Sequence, residues 1–189
     1  METESVRAGA GLLLETEDLF LRKAVFEDWE AMYRNVWSRP EPARFMTWRL
    51  TTSEEDAKAR IQRTIDYQKD HDHRWVVCER KSGQAIGFAG VEEMKPHVFQ
   101  EAGIALGPEY VGRGYGKQIL GLLLRYCAAL GGKEFYYSTR VNNEASKALA
   151  RSFGFTYQYS EEKTDPRNER TYELMVYRKM LETQRSACN

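Results

Sequence analysis

The chain has 189 residues, 42% hydrophobic and 30% charged, which is typical of one soluble globular domain. Lys and Arg together number 28, as do Asp and Glu, so the net charge of zero argues against a general nucleic-acid-binding protein. Cys78, Cys127 and Cys188 show neither zinc-site spacing nor a disulfide framework, which favours a reducing cytoplasm. No apolar run approaches the roughly 20 residues of a membrane span, and the acidic N-terminus does not resemble a signal peptide.

Periodicity and turn residues divide the first half of the chain into short strands and helices. Ser53 followed by three acids predicts a helix start, and Pro40 and Pro42 predict an irregular segment after the preceding helix. In chain order, we predict strands at 12–14 and 19–22, helices at 26–36 and 53–69, and strands at 75–78, 85–91 and 99–106.

The second half continues the alternation. We predict a helix from about Gly114 to Gly131, a strand at 134–141, a helix at 143–153, and strands at 155–161 and 171–180. The charged stretch 161–170 is interpreted as a solvated hairpin turn. Together these elements predict a single α/β (α+β) domain over residues 12–180. A flexible N-terminus (1–11) and a polar C-terminal tail (181–189) are expected to flank it.

A glycine-rich loop is the most informative local feature. It reads Gly112-Arg113-Gly114-Tyr115-Gly116-Lys117, between a predicted strand and a predicted helix. Glycine lets the backbone turn tightly and approach a ligand, and a helix N-terminus offers free N–H groups and a positive dipole end. Arg113 and Lys117 add positive charge. The loop therefore predicts a phosphate-binding site, although a turn without a ligand has the same pattern.

Two common nucleotide motifs do not fit these residues. A Walker A loop would need glycine at position 111 and Ser or Thr at position 118, where Val111 and Gln118 stand. A dinucleotide fingerprint starting at Gly112 would need its third glycine at Lys117. Neither an NTP site of the P-loop type nor a Rossmann site is expected.

Residues 101–155 carry a resemblance to a known family. The run from Leu106 to Lys117 is followed by Val141-Asn-Asn-Glu-Ala-Ser146 and then by Phe153-Gly-Phe155. In this order, the motifs resemble the GNAT acetyltransferase superfamily. Within it, they resemble the RimJ/RimL-like branch of ribosomal-protein N-terminal acetyltransferases. The resemblance covers about residues 12–180.

The resemblance implies a fold and a set of acetyl-CoA contacts. It implies a mixed, mostly antiparallel central sheet that splays at the acetyl-CoA site and is flanked by helices. The loop amides from Gly112 to Lys117 (including Arg113, Gly114, Tyr115 and Gly116) would hold the pyrophosphate. Backbone groups of Ile104, Ala105 and Leu106 would run beside pantetheine. Asn143 would bond the pantetheine arm, and Ser146 would lie near the sulfur.

Acetyl transfer to an amine makes chemical demands that are independent of the family. The attacking amine must be neutral, and at pH 7 roughly 10–15% of an α-amine is neutral, against less than about 0.1% of a lysine. The tetrahedral oxygen needs a positioned N–H donor. The leaving thiolate is helped by a nearby hydroxyl.

Few residues match these catalytic roles. Glu101 begins the strand that leads to the loop and matches a Glu of the RimJ/RimL-like pattern, so it is the first candidate for general base. Glu92 and Glu93, on the preceding strand, are the alternatives. Ser146 is the candidate acid, because Ala150 stands where many members of the superfamily have a tyrosine.

Other residues near the predicted site are harder to assign. Trp37, Phe45 and Trp48 form either an acceptor wall or part of the core. His71, His73 and His97 lack the spacing of a metal site, and no metal is predicted; the first two are expected in a solvated loop.

The predicted protein is an N-acetyltransferase that uses acetyl-CoA as cosubstrate and transfers acetyl directly to a primary amine in a ternary complex. The acceptor is a protein N-terminus by resemblance. The alternatives are a small-molecule amine, such as an amino acid, polyamine or aminoglycoside, or a non-catalytic acyl-CoA-binding module. A monomer or a homodimer is expected, with neither nucleic acid nor membrane as partner.

Overall fold

The computed structural model describes residues 14–182. Its eight strands are β1 (Leu14–Glu15), β2 (Leu19–Arg22), β3 (Arg74–Glu79), β4 (Ala85–Lys95), β5 (Val98–Leu106), β6 (Glu134–Arg140), β7 (Thr156–Thr164) and β8 (Thr171–Met180). Its α-helices are α1 (Asp28–Met32), α2 (Pro40–Ala43), α3 (Glu54–Asp70), α4 (Tyr115–Ala129) and α5 (Glu144–Ser152).

One sheet joins all eight strands in the order β1-β2-β3-β4-β5-β6-β8-β7. Every neighbouring pair is antiparallel except β5 and β6, which are parallel. That parallel pairing covers only three residues, from Val98 opposite Glu134 to Gln100 opposite Tyr136. Beyond this point β5 stays paired with β4 and β6 with β8, so the two strands diverge. The predicted mixed, splayed sheet is confirmed.

Helices cover both faces of the sheet. On β3, Val77 belongs to the core cluster that packs against α4, whereas Val76 and Cys78 belong to the cluster that includes α1 and α3. Because successive strand residues point to opposite faces, α4 lies on one face and α1 and α3 lie on the other. Leu120, Leu122 and Leu123 of α4 are fully buried, as its apolar run predicts.

The helix predicted at 26–36 consists of an α-helical part and a π-helical part. α1 is followed by a π-helical turn, Tyr33–Trp37, in which the Ser38 amide reaches the Tyr33 carbonyl. The wide turn carries Asn35 inward, where its amide donates to the Ala85 carbonyl at 2.9 Å. By contrast, α3 begins as predicted, because Ser53 Oγ accepts from the Asp56 amide.

The ends of the domain differ from the expectation in one place. Leu181 was assigned to the polar tail, but it is buried and its amide donates to the Lys133 carbonyl at 2.8 Å. The predicted flexible segment 1–11 and residues 183–189 lie outside the described residues. Among the helices of residues 14–182, none combines the length and the apolarity that a membrane crossing needs.

Candidate active site

The glycine loop has the backbone that its sequence predicts. Gly112 and Gly114 have φ of +83° and +81°, a left-handed conformation that favours glycine. A Cβ at either position would meet no protein atom within 4 Å, so open space adjoins both residues. Gly114 is also the residue immediately before α4. The loop thus places a tight turn directly before a helix N-terminus.

The amides of this loop are available to a ligand. Among residues 14–182, no acceptor receives a hydrogen bond from the amides of Gly112 to Gly116. The Lys117 amide differs, because it donates to the Gly114 carbonyl at 3.1 Å. The backbone groups predicted to bind phosphate are therefore limited to the amides of Gly112 to Gly116. Lys117 can contribute only the charge of its side chain to phosphate binding.

Two loop side chains are held by Glu79, at the end of β3. The Tyr115 hydroxyl donates to Glu79 Oε1 at 3.0 Å, and Arg113 Nη1 lies 3.5 Å from the same oxygen. Tyr115 is buried in the core, whereas Arg113 is half-exposed and lies over the Tyr110 ring. Glu79 thus anchors the loop to the sheet and offsets part of the charge that Arg113 brings.

The divergence of β5 and β6 exposes one edge of β5. Ile104, Ala105 and Leu106 pair with β4, opposite Ala89, Phe88 and Gly87. On their other edge they have no strand partner within residues 14–182, since β6 pairs only with Val98–Gln100. Backbone groups on that edge are free for an extended ligand, and the edge leads to the glycine loop. The expected pantetheine contacts of these three residues would use this edge.

A cavity of about 300 Å³ occupies the opening between the two strands. β5 contributes Glu101, Gly103 and Ile104, and β6 contributes Tyr137. Asn143 and Ser146, at the start of α5, also line it. The structure therefore brings together both predicted catalytic residues, which are 45 positions apart in the chain.

Glu101 lies within β5, at a bulge that re-aims the strand. The pairing with β4 shifts between Ala89 and Val91, and Gly103 there has a φ of +111°. The Glu101 carboxylate accepts a hydrogen bond from the Gly103 amide. Burial raises the pKa of Glu101 to about 7, although the Gly103 amide and the charge of Arg74 oppose that shift. A carboxyl of this kind exchanges a proton near neutral pH.

The alternative bases lie elsewhere. Glu92 and Glu93 are exposed near the tip of the β4–β5 hairpin. Glu92 accepts from the Gln100 side chain at 3.3 Å, and Glu93 accepts from the His97 amide at 2.8 Å. Neither Glu92 nor Glu93 lines the cavity, whereas Glu101 does, so the geometry favours Glu101 as the candidate base.

Ser146 has a partner that the sequence did not single out. Its hydroxyl lies 2.6 Å from the Tyr137 hydroxyl, which is buried on β6. Burial, with the nearby Glu101 charge, raises the pKa of Tyr137, so the phenol remains protonated at neutral pH. Alternating burial along β6 marks Tyr137 as inward-facing, but only the packing of α5 on β6 reveals its contact with Ser146.

Asn143 caps α5. Its side-chain oxygen accepts from the Ser146 amide at 3.1 Å, which is the usual bond of an N-cap residue. Asn143 therefore positions Ser146. The capping bond uses only the side-chain oxygen of Asn143 and does not involve its side-chain nitrogen. A role toward pantetheine would use this nitrogen.

The three aromatic residues predicted to form either an acceptor wall or part of the core lie in three different places. Phe45 lines the cavity. Trp37 is buried in the core beneath α1 and α3, so for this residue the core interpretation is correct. Trp48 packs beside the same core and lines a separate groove over α3.

The stretch 161–170 is a mostly exposed hairpin turn, as its charge predicts, with one exception at Asp165. Asp165 is buried, with Arg140 Nη2 at 3.0 Å and Arg167 Nη2 at 2.6 Å. Arg167 also donates to the carbonyls of Ala43, at 2.9 Å, and Trp48, at 3.3 Å. The sequence did not predict the burial of Asp165, because the segment that Arg167 contacts lies about 120 positions away in the chain. This ion cluster of Arg140, Asp165 and Arg167 ties the hairpin to the segment that bears Phe45.

The histidines make local contacts. His71 stacks on Tyr67 at 3.6 Å, and His97 Nδ1 lies 2.9 Å from the Gly131 carbonyl. His73 is half-buried rather than solvated, since its Nδ1 lies 2.7 Å from the Tyr126 hydroxyl and burial lowers its pKa. In the described part of the chain, no group of three or more His, Cys, Asp or Glu residues could hold a metal ion.

About half of the chain is similar in sequence to two curated proteins. N-alpha-acetyltransferase RimI of Mycobacterium tuberculosis is 36% identical over 86 residues, which are 44% of this chain and 52% of that protein. An uncharacterized protein of Mycobacterium leprae is 32% identical over 94 residues, 48% of this chain and 25% of its own length. The chain thus spans about half or less of these curated relatives.

Similar folds are found among solved structures. RimL, a ribosomal L7/L12 alpha-N-protein acetyltransferase in complex with coenzyme A, has a TM-score of 0.74 at 20% identity, covering 89% of this chain and 98% of that one. That likeness concerns the fold alone. A family model described as an acetyltransferase (GNAT) domain matches residues 18–156, well over half of the chain. The protein therefore belongs to the GNAT acetyltransferase family.

Proposed function

We propose that this protein transfers the acetyl group of acetyl-CoA to the α-amine at the N-terminus of a protein acceptor. The amine attacks the thioester directly while both substrates are bound. The observation that carries the proposal is one cavity shared by Glu101, whose pKa is raised to about 7, and the hydroxyl pair of Tyr137 and Ser146.

The donor side of the site fits acetyl-CoA. The unengaged amides before Lys117, at the N-terminus of α4, suit a pyrophosphate, and the free edge of β5 suits the amides of pantetheine. An amide on that edge would also donate to the carbonyl oxygen as negative charge develops there. Acetyl-CoA itself supplies an activated acyl thioester.

Glu101 is matched to an α-amine rather than to a lysine. Moving a proton from an α-ammonium of pKa about 7.8 to a carboxylate of pKa about 7 costs about 1 kcal/mol. From a lysine of pKa about 10.4, the same transfer costs about 4.6 kcal/mol. The amine nitrogen forms its bond to the acetyl carbon as its proton passes to Glu101, directly or through water.

The Ser146 and Tyr137 hydroxyls would serve the leaving thiolate. As the carbon–sulfur bond breaks, one hydroxyl donates its proton to the sulfur. A 2.6 Å bond between the two lets the second hydroxyl replace that proton, and the proton taken up by Glu101 then returns to the pair through water. By resemblance, Ser146 lies near the expected sulfur position.

The two cysteines within residues 14–182 give no support to an acetyl-enzyme intermediate. Cys78 and Cys127 are buried and do not line the cavity. Burial raises the pKa of Cys78 to about 11 and also raises that of Cys127, so neither forms a thiolate readily. Direct transfer needs neither thiol.

An acceptor panel tests the proposal. Peptides with one free α-amine and no lysine would be compared with N-terminally blocked peptides carrying one lysine, and with spermidine and kanamycin. We expect kcat/KM to be at least about 100-fold higher for the α-amine, measured as released thiol with the acetylated atom located by mass spectrometry. Preference for a small amine would replace the acceptor assignment. Acetyl-CoA binding without turnover on any amine would indicate a binding module.

A further inference from the structure

A second cavity, of about 550 Å³, lies over α3 and the segment that precedes it. Three arginines line it, Arg49, Arg60 and Arg63, against a single carboxylate, Asp56. Trp48, Thr51 and Tyr67 complete much of the surface of this arginine groove. The groove is therefore cationic, although the chain as a whole has no net charge.

Arg60 is a partly buried cation that forms no ion pair with any residue from 14 to 182. Its guanidinium lies 4.6 Å from the ring centres of both Trp37 and Trp48. Its hydrogen bonds go to neutral oxygens, Thr51 Oγ1 at 3.0 Å and the Arg49 carbonyl at 3.4 Å. Burial, with Arg63 close by, lowers the pKa of Arg60 to about 10, which still leaves it charged at neutral pH. A desolvated cation of this kind favours the approach of an anion.

The other groove residues are also ready for an anion. Across residues 14–182, neither Arg49 nor Arg63 forms an ion pair. The indole Nε1 of Trp48 is buried and has no acceptor in that same part of the chain. An incoming carboxylate would give the guanidinium groups of Arg49 and Arg63 an ion-pair partner that residues 14–182 do not supply.

The groove adjoins the active-site cavity through one short segment. Phe45 and Met46 line the cavity, whereas Trp48 and Arg49 line the groove. Only Thr47 separates Met46 from Trp48, so the two Cα atoms are at most about 7 Å apart. Arg167 fixes this segment through the carbonyls of Ala43 and Trp48. An extended polypeptide could therefore place its N-terminus in the cavity and its following residues at the groove.

We propose that the arginine groove binds acidic side chains of the acceptor polypeptide, a few residues beyond the amine that is acetylated. The proposal rests on the protein-acceptor function above and defines its substrate class. Guanidinium groups bind carboxylates through paired, charge-assisted hydrogen bonds. The charge complementarity would select acidic N-termini without any contact to the reacting atoms.

The first experiment compares two peptides that differ only in charge. One has Asp and Glu at its second to sixth positions, and the other has Asn and Gln there. We expect the acidic peptide to have about tenfold higher kcat/KM with the unaltered protein. Arg63→Glu, an exposed groove position, should abolish this preference. Lys133→Glu, an equal charge change at an exposed turn after α4, should preserve it.

A second experiment separates the groove from the reaction. The acidic peptide with its N-terminus already acetylated cannot react, and its binding would be measured by titration calorimetry with and without Arg63→Glu. Binding that weakens at least about fivefold in the variant supports the groove even if no peptide is a substrate, in which case only the proposed reaction fails. Equal affinity in both proteins, or an equal preference for the acidic peptide in all three proteins, overturns the proposal.

A third titration, with inorganic phosphate, identifies the source of the anion. Saturation by phosphate without measurable binding of the acidic peptide would also overturn the proposal, because it would indicate a site for a free anion.

Discussion

The two walls of the active-site cavity are built in opposite ways. The proposed donor wall consists of the edge of β5, which lines the cavity, and of the glycine loop that follows it; both present backbone groups from one continuous stretch, residues 101–117. The proposed acceptor wall is built from side chains, with Phe45 from an early segment held in place through the Asp165 ion cluster. The donor wall is local in sequence, whereas the acceptor wall is assembled across more than 100 positions.

This difference indicates which of the two walls can change its binding properties through single substitutions. A backbone site depends on glycine conformation and helix position, and it binds the same cofactor whatever the neighbouring side chains are. A wall of side chains changes with single substitutions, so acceptor choice is free to diverge while the donor site is kept. Perturbing each wall separately should therefore affect different kinetic constants.

The largest effect is expected at Glu101, the proposed general base. Glu101→Gln should lower kcat about 100-fold at neutral pH and leave the KM for acetyl-CoA nearly unchanged, because it removes the proton acceptor only. In the unaltered protein, kcat should rise with pH through about 7 as Glu101 ionises. Steady-state kinetics across pH 5.5 to 9 would check both points. The control is Glu92→Gln on the exposed hairpin, and a similar loss there would contradict the assignment.

The same residue predicts a dependence of stability on pH. The folded-state pKa of Glu101, about 7, lies above the unfolded value of about 4.3. Its contribution to stability is therefore present below about pH 4.3 and is lost as pH rises through about 7. Glu101→Gln should thus become more stable than the unaltered protein at pH 8. Urea unfolding at pH 5 and pH 8 would measure the difference.

A smaller effect is expected at the donor wall. Gly114→Ala should raise the KM for acetyl-CoA about tenfold, because a left-handed alanine strains the turn that aims the loop amides. Gly83→Ala is a matched control, since Gly83 also has a positive φ, +69°, and open space around it. Both variants should lose about 1–2 kcal/mol of stability. Equal changes in KM would show that the loop does not bind the donor.

The smallest effect on turnover is expected at the acceptor wall. Asp165→Asn should raise the acceptor KM a few-fold and lower the melting temperature by several degrees, because two arginines lose their shared carboxylate. The arginines lower the pKa of Asp165, so its contribution is present above the unfolded pKa of about 3.9 and is lost progressively at lower pH. The gap in melting temperature should therefore shrink below about pH 4.

The control for that variant is Glu161→Gln, which breaks an exposed pair with Lys163. It should leave both the melting temperature and the acceptor KM near those of the unaltered protein. If Asp165→Asn changed the KM for acetyl-CoA instead, the separation of the two walls would be wrong.

The sequence by itself determined the sheet-and-helix order and the glycine loop, and it reduced the candidate bases to three glutamates. These are short-range features, because φ preferences, capping by Ser53 and hydrophobic periodicity act within a few residues. Only the tertiary structure brought Tyr137 to Ser146, separated Glu101 from Glu92 and Glu93, and buried Asp165 between two arginines. Such contacts depend on which strands become neighbours in the sheet. The pattern of charges along the chain does not show which distant residues will bury a given charged group.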